Sequence, residues 1–344
     1  MKRLAILAIV VLFAIATVGC QYTTIENRET RDPIIAFVTS TSIVEDGSFN
    51  SQIIEGLKKA TSEYQYDLKI LSSDDEQMQQ DNLTIALELE PAVIITDYNL
   101  QDTVLAIAEQ YTNTKFIVVD GEADDATTLP DNVQLLTFDN EAGAFLVGII
   151  AASSSNSGIV GFIGGMDDTP VESAKAGFIA GVRAVNPEME VLTETIGSYD
   201  DTEAAGKAAD SMHQQGADVV FGFAGAANQG VLQSAEKNDY WSIGCDQDQA
   251  LVYPQMAQTI LCSMVKNLDL AVYNAVTAVN DESFSGGNVD YGIDNGGIVL
   301  GAGGGNITSE LQDVYNTWRQ AIADGRVSVP ATEEEARNFI APAI

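Results

Sequence analysis

Basic side chains are scarce in this chain. Sixteen Lys and Arg stand against 50 Asp and Glu, a formal net charge of −34 over 344 residues. Nucleic-acid binding needs cations that displace phosphate counterions, so that class of partner is excluded. Electrostatic attraction to anionic lipid is excluded on the same ground. The acids are dispersed rather than gathered in one block, which reads as a solvating surface suited to a salty medium that screens repulsion. A single histidine, His213, lies in SMHQQGAD, the surface of a helix before a strand. Neither G-x-S-x-G nor G-x-x-x-x-G-K-[ST] occurs, and the run Gly301-Ala302-Gly303-Gly304-Gly305 lacks the strand–helix context of a dinucleotide loop. These absences argue against an enzyme. With three cysteines and no C-x-x-C or Cys/His cluster, a structural zinc site is excluded as well. Cys245 and Cys262 sit in apolar, strand-like runs, as small buried hydrophobes or as an oxidised pair; the sequence leaves both open. The paired acids Asp74-Asp75, Asp124-Asp125 and Asp167-Asp168 lack EF-hand spacing and read as solvated loops, so neither metal nor cofactor is expected.

What the chain does have begins at its N-terminus. Lys2 and Arg3 precede the uncharged run Leu4 to Val18, which is shorter than the roughly 20 residues that span a bilayer. A basic segment, a short apolar segment and a small residue form an export signal over residues 1–19; an uncleaved anchor is the other reading. Val18-Gly19-Cys20 resembles the bacterial lipobox, with Thr17 where leucine is usual. The resemblance implies acylation of Cys20 and a membrane-attached, extracytoplasmic protein. A single acyl chain is a marginal anchor, so further acylation at Cys20 is expected. Residues 20–32 are polar and aperiodic, a tether between lipid and fold.

From Ile34 short β-branched runs recur: IIAFV (34–38), VIIT (93–96), FIVVD (116–120), IVGFI (159–163), VVFGF (219–223) and WSIGCD (241–246). Continuous apolar runs of this length suit strands buried on both faces of a parallel sheet. Helical spacing lies between them, as in Ile53, Leu57, Ala60 and Tyr64, or Ala174, Phe178, Val182 and Val185. The alternation predicts an α/β fold of βαβ units. It restarts near Ile159, and the 325 residues after Gly19 are too many for one compact core, so two doubly wound lobes are expected. Such sheets bind ligands outside the carboxyl ends of their strands. Attention therefore falls on loops 40–50, 96–100, 120–125, 164–170, 197–201, 224–228 and 246–249.

Those loops carry Asp46-Gly-Ser-Phe-Asn50, Asp120-Gly121, Phe138-Asp139-Asn140-Glu141-Ala142-Gly143, Gly164-Gly165-Met166-Asp167, Ala176-Gly177-Phe178-Ile179-Ala180-Gly181, Gly197-Ser198-Tyr199-Asp200, Gly244-Cys245-Asp246 and Ser263-Met264-Val265-Lys266. In this order they resemble the basic-membrane-protein family of lipoproteins, the PnrA-like nucleoside-binding components of ABC transporters, over roughly 34–330. The resemblance implies a type I periplasmic-binding fold, two Rossmann-like lobes joined by a three-strand hinge, and capture of purine nucleosides for delivery to an ABC permease by a monomeric receptor. Crossings near Phe138, Lys266 and Phe284 would divide the chain into a first lobe of 33–137 plus 266–283 and a second of 138–265 plus 284–344.

At the matched positions the chemistry suits a nucleoside. A purine has two flat faces, and a ring from each lobe can sandwich it, each stack adding about 0.5–1.5 kcal/mol beyond area burial. Phe49 and Tyr199 are the two rings, with Tyr98 bordering the base; the bland alternative for each is core packing. The resemblance implies that Asp120 accepts from the base edge and Asp246 from the ribose diol, which a carboxylate suits by offering two oxygens to two donors; either could instead cap a turn. Lys266, after an apolar strand, needs a partner for its charge and is expected to find an aspartate and ligand oxygens. Asn50 contacts ligand or caps its helix. Gly225 sits where the resemblance implies a close backbone approach, which a side chain would block.

The chain departs from the family where an Asp is usual nine residues before Phe49: it has Ser40. Ser42-Ile43 replaces a Gly-Gly, and Gly225-Ala226-Ala227-Asn228 replaces Gly-Gly-Thr-Gly. Such changes would shift the preferred base or ligand class. A signalling receptor of the same fold, binding a sugar or autoinducer-like ligand, is the alternative function.

Overall fold

The computed structural model describes residues 32–123 and 128–344. The export signal, Cys20 and the Asp124-Asp125 pair lie outside the described residues. The chain first lays down β1 (Ile34–Val38), β2 (Asp67–Leu71), β3 (Val93–Asp97), β4 (Lys115–Val119) and β5 (Val133–Phe138). It then forms β6 (Ile159–Gly164), β7 (Glu190–Thr195), β8 (Val219–Phe223), β9 (Trp241–Asp246) and β10 (Ile260–Lys266), followed by β11 (Gly287–Tyr291) and β12 (Ile298–Gly301).

Two six-stranded sheets result, ordered β11-β5-β4-β3-β1-β2 and β12-β10-β9-β8-β6-β7. The winding order is the same in both, which makes β4 the counterpart of β9 and β5 that of β10. All pairings are parallel except β12 on β10. Strands β1, β3, β4, β8 and β9 are buried almost throughout, as their unbroken apolar runs require in a sheet covered on both faces. The two-lobed type I architecture follows from these sheets.

The connections tie the lobes together. Helix Asn140–Ser154 follows β5 and packs on Thr169–Val185 in the second lobe, while Leu268–Asn280 follows β10 and packs on Phe49–Tyr64 in the first. The first pair of helices touches backbone to backbone: a Cβ on Gly177 would lie 2.0 Å from the Glu141 carbonyl oxygen, and one on Gly181 2.1 Å from that of Phe145. That close approach explains the glycine spacing of the Ala176–Gly181 motif. The third crossing differs from the expected one near Phe284. Strand β11 pairs with β5 of the first sheet, so the chain returns to the second lobe only after Tyr291. Its short, half-exposed GNVDY sequence carries no apolar run to announce it. Tyr291 stacks on Phe138 with ring centroids 5.3 Å apart, joining two of the crossings.

Cys245 and Cys262 are free thiols, both buried, so no disulfide joins the adjacent strands β9 and β10. His213 stacks on Tyr240 at 4.6 Å, a packing role. No helix among the described residues is long and apolar enough to cross a membrane.

Candidate functional site

The carboxyl ends of both sheets face one cavity between the lobes, the place where open α/β sheets bind their ligands. Phe49, Asn50, Tyr98, Asp120, Tyr199, Gly225, Asp246 and Lys266 all line it. Each lobe contributes aromatic rings, and each contributes an aspartate at the end of an equivalent strand.

Those two aspartates share an unusual backbone. Asp120, just past β4, has φ +56°, and Asp246, the last residue of β9, has φ +62°. Left-handed conformation costs a non-glycine residue about 1–3 kcal/mol and clusters at functional sites. Asp120 is gripped by Lys266, whose Nζ lies 2.5 Å from each of its carboxylate oxygens. Lys266 is wholly buried, with rings of Phe138, Phe49 and Phe223 at 4.8, 5.6 and 5.7 Å from the ammonium. A desolvated ammonium requires such partners: one carboxylate and several ring faces.

The helix Phe49–Tyr64 places the first lobe's ring. Its N-terminus is held by Asp46, whose carboxylate accepts from the N–H groups of Ser48, Asn50 and Ser51, all at 2.9 Å. Asn50 is not the cap. Its amide donates to Thr41 Oγ1 at 2.7 Å and the Ile43 carbonyl at 3.0 Å and accepts from Thr39 Oγ1 at 2.9 Å. Both amide hydrogens are thus committed to bracing loop 39–43.

Tyr199 is placed by glycine and by acid. A Cβ on Gly165 would fall 2.4 Å from Tyr199 Cδ1, so the second glycine of Gly164-Gly165-Met166-Asp167 makes room for the ring. The Tyr199 hydroxyl donates to Asp168 at 2.6 Å, and its carbonyl accepts from the Ala227 N–H at 2.8 Å. Asp168 therefore corrects the expectation of a solvated loop at 167–168. It accepts from the Val171 N–H at 3.1 Å at the start of helix Thr169–Val185, and lines the cavity. Gly225 adopts φ +54° beside Tyr199, which favours glycine there. The Tyr98 hydroxyl meets Thr169 Oγ1 across the cleft at 2.9 Å.

Asp46, Asp97, Asp168 and Phe223 also line the cavity, although nothing in the sequence marks them as site residues. Each has an ordinary reading, as helix cap, strand end or core aromatic. Asp97 bears on the Ser40 departure. The N–H of Ser40 donates to Asp97 Oδ2 at 3.0 Å, and Gln79 Nε2 and the Asn99 N–H donate to Oδ1 at 3.0 and 3.1 Å. A carboxylate from β3 thus stands beside the position where the family pattern has its own acid. Burial pushes the carboxyls of Asp46, Asp97, Asp168 and Asp246 above the usual aspartate range. The charge of Lys266 opposes that shift at Asp246, and hydrogen-bond donors oppose it at the other three.

Rings from both lobes and several carboxylates thus border one cavity. The model of the Bmp family, described as ABC transporter substrate-binding protein PnrA-like, matches residues 34–333. The CD4+ T-cell-stimulating antigen of Listeria monocytogenes is 31% identical over 327 residues, covering 88% of this chain and 89% of that protein. The ABC transporter nucleoside-binding protein BmpA of Lactococcus lactis is 30% identical over 321 residues, covering 86% and 88%. A solved ABC transporter solute-binding protein from Aeropyrum pernix shares the fold with a TM-score of 0.77 at 24% identity, covering 89% of this chain and 95% of that one. The match over nearly the whole described chain means that this protein belongs to the PnrA-like family of ABC transporter substrate-binding proteins.

Proposed function

We propose that the solute is a purine nucleoside, captured by closure of the two lobes and handed to an ABC permease. One observation carries the reading: Phe49 and Tyr199, from opposite lobes, border a single cavity that also holds Asp120 and Asp246. In this reading the base lies between the two rings, and Asp120 accepts from its edge while bound to Lys266. Asp97 supplies a second acceptor beside Ser40. Asp246 takes the ribose hydroxyls, the main chain at Gly225 approaches the sugar, and Lys266 donates to a ligand oxygen. Tyr98 borders the base. Asn50 acts by holding loop 39–43. Closure lowers the free energy only through contacts stronger in the closed form, which a ligand touching both lobes supplies. Cys20 would carry the lipid that keeps this monomeric receptor at the extracytoplasmic face, near its permease.

A thermal-shift panel tests the reading, because a ligand that binds only the native form raises its apparent stability. Inosine, guanosine and adenosine should raise the transition, and free sugars and amino acids should leave it unmoved. A rise confined to sugars or amino acids would refute it.

A further inference from the structure

Asp246 is held from the opposite lobe. The Ser48 hydroxyl donates to its Oδ2 at 2.5 Å, and Gln52 Nε2 donates to its main-chain oxygen at 2.8 Å. Ser48 and Gln52 stand one turn apart at the start of the first-lobe helix Phe49–Tyr64, whereas Asp246 ends β9 of the second. Both contacts therefore require the lobes to be together.

Ser48 has given up the ordinary work of its position. It immediately precedes the helix, where a serine side chain normally accepts from the first turn's N–H groups, yet its hydroxyl makes no such bond. Asp46 satisfies those donors instead. The hydroxyl, fully buried, is free to point across the cleft. On Asp246 the Cys245 thiol lies 3.4 Å from the same Oδ2, and among the described residues no donor reaches Oδ1. One oxygen is fastened and the other left for a ligand.

We infer that Ser48 is a positioning residue that makes recognition of the ligand's vicinal diol conditional on closure, by fixing Oδ2 of Asp246 so that Oδ1 meets the diol. The inference rests on the nucleoside reading. In the open form Oδ2 keeps only the weak contact with the Cys245 thiol of its own strand, and the carboxylate turns more freely about its own bond. Closure brings Ser48 in and orients the acceptor while the diol is in place. A ligand lacking one of the two hydroxyls gains less from that orientation, so the preference for ribose over deoxyribose is the quantity Ser48 sets.

The test is calorimetric titration of the unaltered protein, Ser48→Ala and Ser48→Thr with inosine and with 2′-deoxyinosine. Charge-assisted hydrogen bonds of this kind predict that the unaltered protein prefers inosine by about tenfold or more. Ser48→Ala should lose most of that preference, through weaker inosine binding, and Ser48→Thr should keep it. A preference unchanged in Ser48→Ala, whether both affinities fall or neither does, overturns the inference. If Ser48→Ala does not fold, Ser48→Gly, which the position before a helix tolerates, replaces it under the same criteria. Equal affinity of the unaltered protein for both ligands overturns the inference but leaves nucleoside binding standing. Binding of neither ligand removes the nucleoside reading and this inference with it.

Discussion

Lys266 of the second lobe and Asp120 of the first meet at 2.5 Å in a space that leaves the lysine with no solvent exposure. The pair joins two strand ends that are separate in sequence and brings three aromatic rings around one charge. Removing one partner leaves the other as an uncompensated buried charge, which costs about 3–5 kcal/mol. Lys266→Met should therefore lower stability by that order in urea unfolding. Lys266→Met combined with Asp120→Asn should recover most of it. A single variant as stable as the unaltered protein would contradict the pairing.

In the proposed arrangement Phe49 meets the base with its ring face, which does not distinguish one base edge from another. Phe49→Ala should weaken inosine, guanosine and adenosine by similar factors, on the order of tenfold, from lost stacking and buried area. Calorimetric titration checks this. A loss confined to one base would mean that the ring does not stack.

Asp246→Asn should weaken binding of ribonucleosides by roughly tenfold or more, because a neutral amide replaces a charge-assisted acceptor. The fold should not suffer. Asparagine tolerates the left-handed backbone at this position. Burial already holds the Asp246 carboxyl above its ordinary range, so at neutral pH its charge opposes folding. The thermal transition of the unliganded variant should stay level or rise; a marked fall would show that Asp246 is chiefly structural.

Glu141, on the first turn of helix Asn140–Ser154, has its carboxyl pushed up to about 7, first by burial and then by the charges of Asp139 and Glu122. The folded state holds this proton more tightly than the unfolded chain. Stability therefore falls as pH rises from about 4.5 to about 7 and is not regained above it. Glu141→Gln should raise the melting temperature at pH 8 and change it little at pH 4.5, as scanning calorimetry would read. An equal effect at both pH values would contradict the shift.

The strands that the sequence revealed are those buried on both faces. IIAFV, VVFGF and WSIGCD coincide with β1, β8 and β9 because no solvent-facing side interrupts them. DLKIL and EVLTET, β2 and β7, form the outer edges of their sheets with half their side chains in water. Their polar residues dilute the apolar pattern that marks the buried strands. The missed edge strand β11 displaced the third crossing from Phe284 to beyond Tyr291. At the candidate site, Phe49, Tyr199, Asp120, Asp246 and Lys266 stand out through the family resemblance, in segments at the carboxyl ends of the strands, and all five line the cavity. Asp168 and Asp97 do not stand out. One caps a helix and the other a single turn, at Val171 and Asn99, and nothing in sequence separates a cap that also lines a cavity from one that does not.

The account turns on whether a heterocycle lies between Phe49 and Tyr199. The most direct measurement is a crystal structure of the protein grown with inosine. It should show the base between those two rings, with the ribose hydroxyls on Asp246 Oδ1. Ligand density elsewhere, or a base that touches only one of the two rings, would contradict it.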